Sequence, residues 1–540
     1  MPVGLLLGDE AVAQAAIDAG IAGAFSYPGT PATEIFEYIE HGAGASGKVS
    51  ALWAANEKVA YEEALGMSYA GKRALVSMKH VGLNVAADPF MNSAITGVNG
   101  GLVVAVADDP GMHSSQNEQD SRHYGEFAQI PVFEPANQQE SYDMTLRAFE
   151  LSEQVGLPVM VRLVTRLAHS RANVVTRSPE ESPSDAGEPR PFPSPDDWTL
   201  VPSIARRRFR RLIDLQKTLL ETSESSELNR LTLSGPRGII AAGLGHNYVM
   251  EALGGSNEHS ILKLGHYPLP VALIRRLVDH CDEILVAEDG YPFIEKRLNG
   301  VLGVPGKAIK GKLTGDLPPT GELSPDLLAT ALGRPVTLTL RPVDDLAGRP
   351  PQLCKGCPHI DSFKAIVEAT AIHAHPILFS DIGCYTLGVL PPYRAVHACV
   401  DMGASIAMAH GAAQAGAHPV ICTIGDSTFS HSGMTPLIGA ARSNADMTVF
   451  ILDNATVAMT GAQESLTTGE RLLEVLRGLG VNEDHLHVMD PHPKKHAENV
   501  DLVKKEVEHR GLSVIVPTRA CIHVKRKQVP TEAATVTVGA

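Results

Sequence analysis

The sequence predicts an α/β protein made of several doubly wound domains, and three observations lead to this fold class. The chain has 540 residues, which is enough for three or four domains of ordinary size. Apolar runs of strand length alternate with helical segments, most clearly where the run 419–424 precedes a helical stretch at 433–443 and a second apolar run at 447–452. Continuous apolar runs of this kind are typical of parallel strands that are buried on both faces.

Polar oxygen side chains directly follow both of these apolar runs. Gly425, Asp426 and Ser427 come after the first run, and Asn454 comes after the second. Open α/β sheets bind ligands at the carboxyl ends of their strands, so these side chains are expected to share one site. Asp426 offers a carboxylate and Asn454 an amide oxygen, which are hard ligands of the kind that Mg²⁺ prefers. An ordinary strand–helix–strand unit with a Gly-Asp turn is the alternative interpretation.

The composition excludes several classes of function. Lys and Arg number 46 against 61 Asp and Glu, so the net charge of −15 makes nucleic acid an unexpected partner. No apolar run reaches the roughly 20 residues that a membrane span needs, so no membrane association is expected. The N-terminus shows neither a basic segment nor a cleavage-site pattern, so the sequence predicts no signal peptide and a cytoplasmic location.

Residues 1–175 are predicted to form a first α/β domain. Its expected elements are a start at 5–8, an Ala-rich helix at 10–20, a strand breaking into a turn at 25–31, helices at 32–39 and 52–69, strands at 76–79 and 102–106, a polar loop at 107–124 and a closing segment at 131–164. A polar loop of that length is usually functional or disordered.

The composition changes after this domain. Residues 178–197 carry six prolines and many acids, which predicts an extended linker. The basic run 206–211 favours a solvated helix face that pairs with acidic surface, with a phosphate site as the alternative. The predicted organisation is therefore a first domain at 1–175, a linker with a basic helix at 176–234, a smaller α/β domain at 235–345, the domain with the Gly-Asp-Ser motif at 346–525, and a tail at 526–540.

Four of the seven cysteines form a second group of interest. Cys354 and Cys357 form a CxxC pair, while Cys384 and Cys521 follow farther along the chain. In a chain without an export signal, such cysteines are metal ligands or buried thiols more often than disulfides. An iron–sulfur cluster, a zinc ion, a redox dithiol and unligated thiols are the open interpretations. Cysteines 281, 399 and 422 lie in apolar surroundings and are interpreted as buried thiols.

Several stretches together resemble one family, the alpha subunit of indolepyruvate:ferredoxin oxidoreductase, within the thiamine-dependent 2-oxoacid:ferredoxin oxidoreductase superfamily. They are YPGTPATEIFEYI at 27–39, NEKVAYEEALGMSYAGKRALVSMKHVGLNVAADPFM at 56–91, HSSQNEQDSRHYG at 113–125, LCKGCPHIDSF at 353–363, FSDIGCYTLG at 379–388, CVDMGASIAMAHG at 399–411 and the motif from Gly425 to Gln463. The resemblance covers residues 1 to about 525. It implies two thiamine diphosphate-binding-type doubly wound domains plus a transketolase C-terminal-like α/β domain. Two chains normally build two cofactor sites in this family.

The resemblance also implies roles for particular residues. Glu57 maps onto the acid that activates the thiamine by a hydrogen bond to its pyrimidine. The alternative interpretation is that the solvent-exposed face of a helix simply carries Glu57, Glu62 and Glu63. Thr30 maps onto a residue near substrate and cofactor. Gly425, Asp426 and Ser427 would bind the diphosphate, while Asp426, Asn454 and the carbonyl of Thr456 would hold Mg²⁺. Met459 stands where pyruvate-using relatives have an asparagine that contacts substrate, which favours a less polar pocket.

In the superfamily, cysteines arranged like Cys354, Cys357, Cys384 and Cys521 hold one [4Fe–4S] cluster. The implied partners are a small beta- or gamma-type subunit, ferredoxin or another electron carrier, and a second copy of the chain within a hetero-oligomer. Relatives commonly carry a C-terminal ferredoxin-like domain with two CxxCxxCxxxCP runs, and no such run occurs here. Electrons are therefore expected to pass to another subunit or an external carrier.

The resulting hypothesis is the oxidative decarboxylation of a 2-oxoacid, with an aryl pyruvate such as indolepyruvate as the expected substrate and coenzyme A as the acyl acceptor. A non-oxidative thiamine-dependent decarboxylase or carboligase is the first alternative, since it would need no cluster. A catalytically silent partner subunit is the second alternative, and the presence of Glu57, Asp426 and Asn454 argues against it.

Overall fold

A computed structural model of the chain describes residues 2–178, 198–336 and 351–527. The chain divides into two compact units, Met1–Arg341 and Pro342–Ala540. Within the described residues, no helix is both long and apolar enough to span a membrane. Most of the predicted linker (179–197) and of the predicted tail (528–540) lies outside the described residues. The predicted domain boundaries stay predictions.

The N-terminal unit contains three sheets. Its strands are β1 (Val3–Leu7), β2 (Gly23–Ser26), β3 (Ser50–Trp53), β4 (Ala74–Lys79), β5 (Leu102–Asp108), β6 (Val132–Phe133), β7 (Val159–Val164), β8 (Arg171–Val175), β9 (Arg230–Thr232), β10 (Arg237–Ala242), β11 (His259–Leu264), β12 (His266–Tyr267), β13 (Glu283–Ala287) and β14 (Ala308–Lys310). Its helices are Gly8–Asp18, Thr33–Ile39, Glu57–Tyr69, His80–Val85, Ala87–Thr96, Arg122–Ala128, Gln138–Val155, Thr165–Ala168, Pro202–Glu224, Gly245–Leu253, Val271–His280, Phe293–Asn299 and Pro325–Ala331, with a π-helical turn at Glu40–Gly44.

The largest sheet of this unit has the order β12-β6-β7-β5-β4-β2-β3, and it is parallel except at β12. The second sheet has the order β14-β13-β10-β11-β9, and β1 pairs with β8. Strands β4, β5 and β7 are buried along their whole length, as expected for parallel strands covered on both faces. The carboxyl ends of β2, β4, β5 and β7 therefore meet at one edge.

The long polar loop at 107–124 is ordered by buried charge. Arg122 and Arg162 are both about 1% exposed or less, and they form ion pairs with four acids, Asp108, Asp120, Glu134 and Glu288. The Tyr267 hydroxyl donates to Glu134 over 2.6 Å. Because Asp108 ends β5 of the largest sheet and Glu288 follows β13 of the second sheet, this network joins these two sheets of the N-terminal unit. Buried charges are tolerated when they are paired and hydrogen-bonded in this way.

Two predicted elements differ in the structure. The helix predicted at 52–69 is wrong at its start, because residues Ser50–Trp53 pair with β2 as a strand and the helix begins at Glu57. Asn56 caps it, accepting a hydrogen bond from the Val59 N–H. The basic run does lie on a helix, as predicted. However, Arg208 and Arg211 donate hydrogen bonds to the main-chain carbonyls of Thr96 and Val155, so these two side chains are not on a purely solvated face.

The C-terminal unit is a doubly wound parallel sheet with a short two-stranded hairpin beside it. Its strands are β15 (Ile377–Ser380), β16 (Ala398–Cys399), β17 (Val420–Gly425), β18 (Met447–Leu452), β19 (Thr456–Val457), β20 (Gln463–Glu464), β21 (Leu486–Met489) and β22 (Leu512–Pro517). Its helices are Pro358–Thr370, Ala404–Gln414, Asp426–Thr428, Met434–Arg442, Gly469–Gly478, His496–Glu508 and Ile522–Lys527, with 3₁₀ turns at Cys384–Val389, Glu483–His485 and Pro493–Lys495 and a π-helical turn at Phe429–Gly433.

The main sheet of this unit is parallel, with the order β16-β15-β17-β18-β22-β21. Alternate residues of the central strands enter separate cores, since Ile424 and Val449 join one cluster while Ile421 and Phe450 join another. Both faces of the sheet are therefore covered. The chain runs outward from β15 to β16 on one side and to β17 on the other, so the strand order reverses between β15 and β17. That reversal is where such sheets bind ligands.

Candidate functional site

The predicted metal residues of the C-terminal unit lie at and next to this reversal point. Asp426 follows β17 directly, and Asn454 follows the neighbouring strand β18 after Asp453. Asp426 is 2% exposed and Asn454 is 7% exposed. The apolar strands thus place two oxygen-bearing side chains side by side at one buried edge, as the sequence predicted.

The Asp426 carboxylate is held without a compensating charge. Its Oδ2 atom is buried and has no hydrogen-bond partner. Burial, and then the negative charge of Asp453, raise the pKa of Asp426 to about 7. A buried carboxylate oxygen without a partner is costly for the protein unless a ligand completes it. A divalent cation is such a ligand, so the residues present fit Mg²⁺.

In the loop after β18, Asp453 has a structural role, whereas Asn454 is a candidate metal ligand. Asp453 accepts hydrogen bonds from the Thr468 hydroxyl and the Gly469 N–H, so it fastens the next helix. Asn454 Oδ1 accepts a hydrogen bond of 3.2 Å from the Thr456 N–H. Between them Ala455 has a φ of 63°, in the left-handed region that non-glycine residues adopt mainly where function or tight turns require it. This bend turns Thr456 back into the short β19–β20 hairpin.

The other three predicted cofactor residues, Gly425, Ser427 and Met459, differ in their packing and solvent exposure. Gly425 is the last residue of β17 and packs against the Tyr385 ring. Ser427 lies half-buried in the turn Asp426–Thr428, next to the candidate metal ligand. Met459 is 61% exposed in the loop of the β19–β20 hairpin, so the structure places it on the surface of this unit. Its predicted contact with substrate stays a prediction.

The four predicted cluster cysteines gather in this same unit. Cys354, Cys357 and Cys521 all contribute electrostatically to the pKa of Cys384, which burial chiefly raises to about 12. Burial likewise raises the pKa of Cys357 to about 11, with contributions from Cys354 and Cys521. Among the described residues, no three of these sulfurs lie within 4.8 Å of one another. A tetrahedral zinc site with bonds of about 2.3 Å needs sulfurs about 3.8 Å apart. The described sulfurs therefore do not form a ready-made tetrahedral zinc site.

The cysteine group adjoins the candidate metal loop. The Cys521 N–H donates to the Asn454 carbonyl over 3.1 Å. His359, two residues after Cys357, places its Nε2 atom 3.4 Å from Asn454 Nδ2 and its ring edge-on to Tyr385. Burial lowers the pKa of His359 to about 4, so it is a neutral spacer. Sequence patterns do not reveal this contact, because residues 359 and 454 are far apart in the chain.

Glu57 lies in the N-terminal unit at the start of the helix Glu57–Tyr69. It is 4% exposed, whereas Glu62 and Glu63 on the same helix are exposed. The interpretation as a solvent-exposed face therefore does not describe Glu57. Its carboxylate packs directly onto Gly82, since a Cβ atom built there would lie 2.6 Å from Glu57 Oε1.

This contact leads to a first prediction. In Gly82→Ala, the added methyl displaces the Glu57 carboxylate, so we expect the catalytic rate to fall by at least about tenfold while the fold persists. The control is Gly66→Ala in the Glu57–Tyr69 helix, where an added Cβ meets nothing within 4 Å. That variant should keep full activity and gain about 0.5–1 kcal/mol of stability. Turnover and thermal unfolding are to be compared, and equal activity in both variants would contradict the packing role.

The edge near Glu57 holds further polar groups. Thr30 lies half-buried in the turn after β2, where the neighbouring Gly29 packs against the Lys79 side chain. Lys79 ends β4, is 8% exposed and donates from Nζ to the Ser114 carbonyl over 2.8 Å. Burial lowers the pKa of Lys79 to about 8, against the opposing charges of Asp109 and Glu57. Sequence reasoning missed Lys79, although its place at the end of an apolar strand was the signal.

Comparisons with known proteins agree with this architecture. Residues 14–205 match the family model "Pyruvate flavodoxin/ferredoxin oxidoreductase, thiamine diP-bdg". Residues 381–515 match the family model "Thiamine pyrophosphate enzyme, C-terminal TPP binding domain". The two matched ranges contain the Glu57 region and the Asp426–Asn454 region respectively.

Curated relatives match over nearly the whole chain. Indolepyruvate oxidoreductase subunit IorA of Archaeoglobus fulgidus is 38% identical over 96% of this chain and 86% of that protein. The same subunit of Pyrococcus abyssi is 38% identical over 96% of this chain and 85% of that protein. A solved 2-oxoglutarate:ferredoxin oxidoreductase from Magnetococcus marinus has a TM-score of 0.50 and 17% identity, covering 61% of this chain and 65% of that chain. The predicted α/β fold class is confirmed.

Proposed function

Because this chain belongs to the indolepyruvate oxidoreductase IorA family of thiamine diphosphate-dependent oxidoreductases, we propose that it oxidatively decarboxylates an aryl pyruvate such as indolepyruvate. In the proposed reaction the 2-oxoacid and coenzyme A give an acyl-CoA, carbon dioxide and one proton, and two electrons leave singly. The observation that carries the redox part is the contact of Cys521 and His359 with Asn454, which sets four thiols beside the candidate cofactor loop.

The residues of the C-terminal unit would hold the cofactor through its metal. Asp426, Asn454 and the Thr456 carbonyl are the proposed Mg²⁺ ligands, and thiamine diphosphate when bound supplies the electron sink for decarboxylation. Cys354, Cys357, Cys384 and Cys521 would hold a [4Fe–4S] cluster, which requires their four thiolates. Ligation by iron deprotonates thiols whose pKa is otherwise raised by burial.

Glu57 and Lys79 are the residues of the N-terminal unit that we propose contact the cofactor and the substrate. Glu57 would hold a proton at its buried carboxyl and hydrogen-bond the cofactor pyrimidine, a role that its shielding from water suits. Lys79 would attract the carboxylate of the 2-oxoacid, since it is a buried cation at the same strand edge as Thr30. Packing on Gly82 holds Glu57 in place, and a hydrogen bond to the Ser114 carbonyl of the polar loop holds Lys79.

The proposed partners follow the family. Relatives are named as one subunit of an oxidoreductase, so we infer a smaller beta- or gamma-type subunit, a second copy of this chain, and ferredoxin or another one-electron carrier. The cytoplasmic location also stays a prediction. The function is tested by an anaerobic assay in which indolepyruvate, with and without coenzyme A, reduces a viologen dye. Carbon dioxide release without dye reduction would favour the non-oxidative decarboxylase instead.

The Asp426 carboxylate should control metal-dependent cofactor binding. In Asp426→Asn we expect the Mg²⁺ concentration for half-maximal thiamine diphosphate binding to rise at least about 100-fold. Without metal, the variant should unfold at the same temperature as wild type or higher, because the uncompensated buried charge is gone. Calorimetric binding and thermal melting measure both effects. Asp484→Asn, exposed before β21 at the opposite end of the sheet, is the control that should change neither.

Lys79 predicts a pH dependence of substrate binding. Its pKa of about 8 means that the ammonium is charged below pH 8 and neutral above it. The KM for the 2-oxoacid should therefore rise as the pH passes through about 8. Lys79→Met should raise KM about 10- to 100-fold at pH 7, the value of one charged hydrogen bond, and abolish this pH dependence. Lys72→Met, which changes a lysine just before the opposite end of β4, is the control and should leave KM unchanged. An unchanged KM in Lys79→Met would refute the proposed role of Lys79 in binding the substrate carboxylate.

A further inference from the structure

A second cluster of ionisable side chains lies in the N-terminal unit, outside the residues used above. Asp9, Glu34 and His169 each bring one potential ligand atom within 4.8 Å of the other two. Three separate elements supply them: the helix Gly8–Asp18, the helix Thr33–Ile39 and the residue after the helix Thr165–Ala168. Their convergence is a product of the fold, because the three residues are remote in sequence.

Asp9 is the unusual member of the cluster. It is 0% exposed, and neither of its carboxylate oxygens has a hydrogen-bond partner. A second carboxylate, that of Glu34, faces it across the cluster. Two ionised carboxylates held together, one of them buried and without partners, are strongly unfavourable, and either a proton or a cation shared between them relieves this cost.

The geometry of the other two residues suits a shared ion. His169 Nε2 lies 3.4 Å from Glu34 Oε2, which is long for a charge-assisted hydrogen bond of about 2.7–2.9 Å. Two ligands at about 2.0 Å from one tetrahedral ion lie about 3.3 Å apart. Side chains of Glu34 and His169 are 35% and 33% exposed, so the cluster is open on one side. Glu34 also borders a surface hollow of about 710 Å³.

We propose that Asp9, Glu34 and His169 form a binding site for one first-row transition-metal dication, of which Zn²⁺ is the probe. One imidazole with two carboxylates is a donor set for Zn²⁺, Mn²⁺ or Fe²⁺, whereas Ca²⁺ and Mg²⁺ prefer oxygen ligands alone. With three protein ligands, the fourth position faces the open side and is left for water. This site is separate from the proposed Mg²⁺ and cluster sites, whose residues all belong to the C-terminal unit.

The test compares Zn²⁺ binding to the full chain and to two variants, after chelator treatment and with Mg²⁺ and thiamine diphosphate present. Wild type should retain one more equivalent of Zn²⁺ per chain than Asp9→Asn or His169→Gln, and its dissociation constant should be at least about 100-fold lower at this site. Zn²⁺ should also raise the melting temperature of wild type but not that of these two variants. Glu37→Gln, on the same helix as Glu34 and bordering the same hollow, is the control that should keep the site.

Metal-free Asp9→Asn is expected to melt at or above the wild-type temperature, because the substitution removes a buried charge and keeps the shape. His169→Gln changes a partly exposed side chain and therefore tests the site without disturbing the core. Equal Zn²⁺ stoichiometry and affinity in wild type and both variants would overturn the proposal. Loss of the equivalent in both variants, with Glu37→Gln unchanged, would support it whether or not the chain acts on 2-oxoacids.

Discussion

Replacing Glu57 with glutamine is expected to lower 2-oxoacid-dependent electron transfer by about 10²- to 10⁴-fold, the usual contribution of a positioned acid or base. Glutamine has nearly the same shape, so the contact with Gly82 and the Asn56 cap should survive. What it loses is the ability to share a proton with the cofactor pyrimidine. Binding of thiamine diphosphate and Mg²⁺ should change little, because the proposed ligands of the metal lie in the C-terminal unit.

The control for this experiment is Glu62→Gln, an exposed acid one turn along the same helix. It should keep full activity and the same melting temperature. Steady-state turnover and calorimetric cofactor binding should be measured for both variants. Full activity in Glu57→Gln would favour the silent-subunit alternative.

Replacing Cys384 with serine is expected to remove the iron from the protein. The rate at which the protein reduces one-electron acceptors should then fall by at least about 100-fold. A [4Fe–4S] cluster needs four thiolates, and the neutral serine hydroxyl is a poor substitute for one of them. Decarboxylation in the absence of an acceptor should continue at a low rate, because Glu57 and the metal ligands are untouched. Iron analysis and dye reduction measure the two parts of this prediction.

Cys399→Ser is the matched control for the cluster. Cys399 is half-buried in the same unit, with its sulfur 3.9 Å from the Thr386 hydroxyl, two residues from Cys384. It has no proposed role in ligation, so the variant should keep its iron and its activity. Loss of iron in Cys399→Ser but not in Cys384→Ser would show that the ligands are assigned wrongly.

Local sequence patterns place Asp426 and Asn454 at one edge of the sheet for a physical reason. A buried parallel strand must be apolar along its whole length, so β17 and β18 stand out, and the residues after them must lie at one edge. Asp426 and Asn454 can therefore be paired from the order of residues alone. From the sequence, the gathering of the four cysteines could be predicted only through the family resemblance, because no local rule brings residues 354 and 521 together.

Contacts between distant segments are beyond such rules. The packing of Glu57 on Gly82, the contact of His359 with Asn454 and the convergence of Asp9, Glu34 and His169 all depend on tertiary structure. The predicted start of the Glu57–Tyr69 helix is too early because residues 52–55 carry no strong turn signal, and pairing with β2 decides their conformation. Lys79 is predicted only as part of a strand, although its position at the end of that strand is what makes it a candidate.

The central claim is that electrons from the 2-oxoacid enter an iron–sulfur cluster held beside the thiamine site. The direct test is electron paramagnetic resonance of anaerobically purified protein, before and after addition of indolepyruvate and coenzyme A, together with iron analysis. We expect about four irons per chain and a reduced-cluster signal that appears only after the 2-oxoacid is added. Bound thiamine diphosphate with carbon dioxide release, but with neither iron nor a signal, would contradict it.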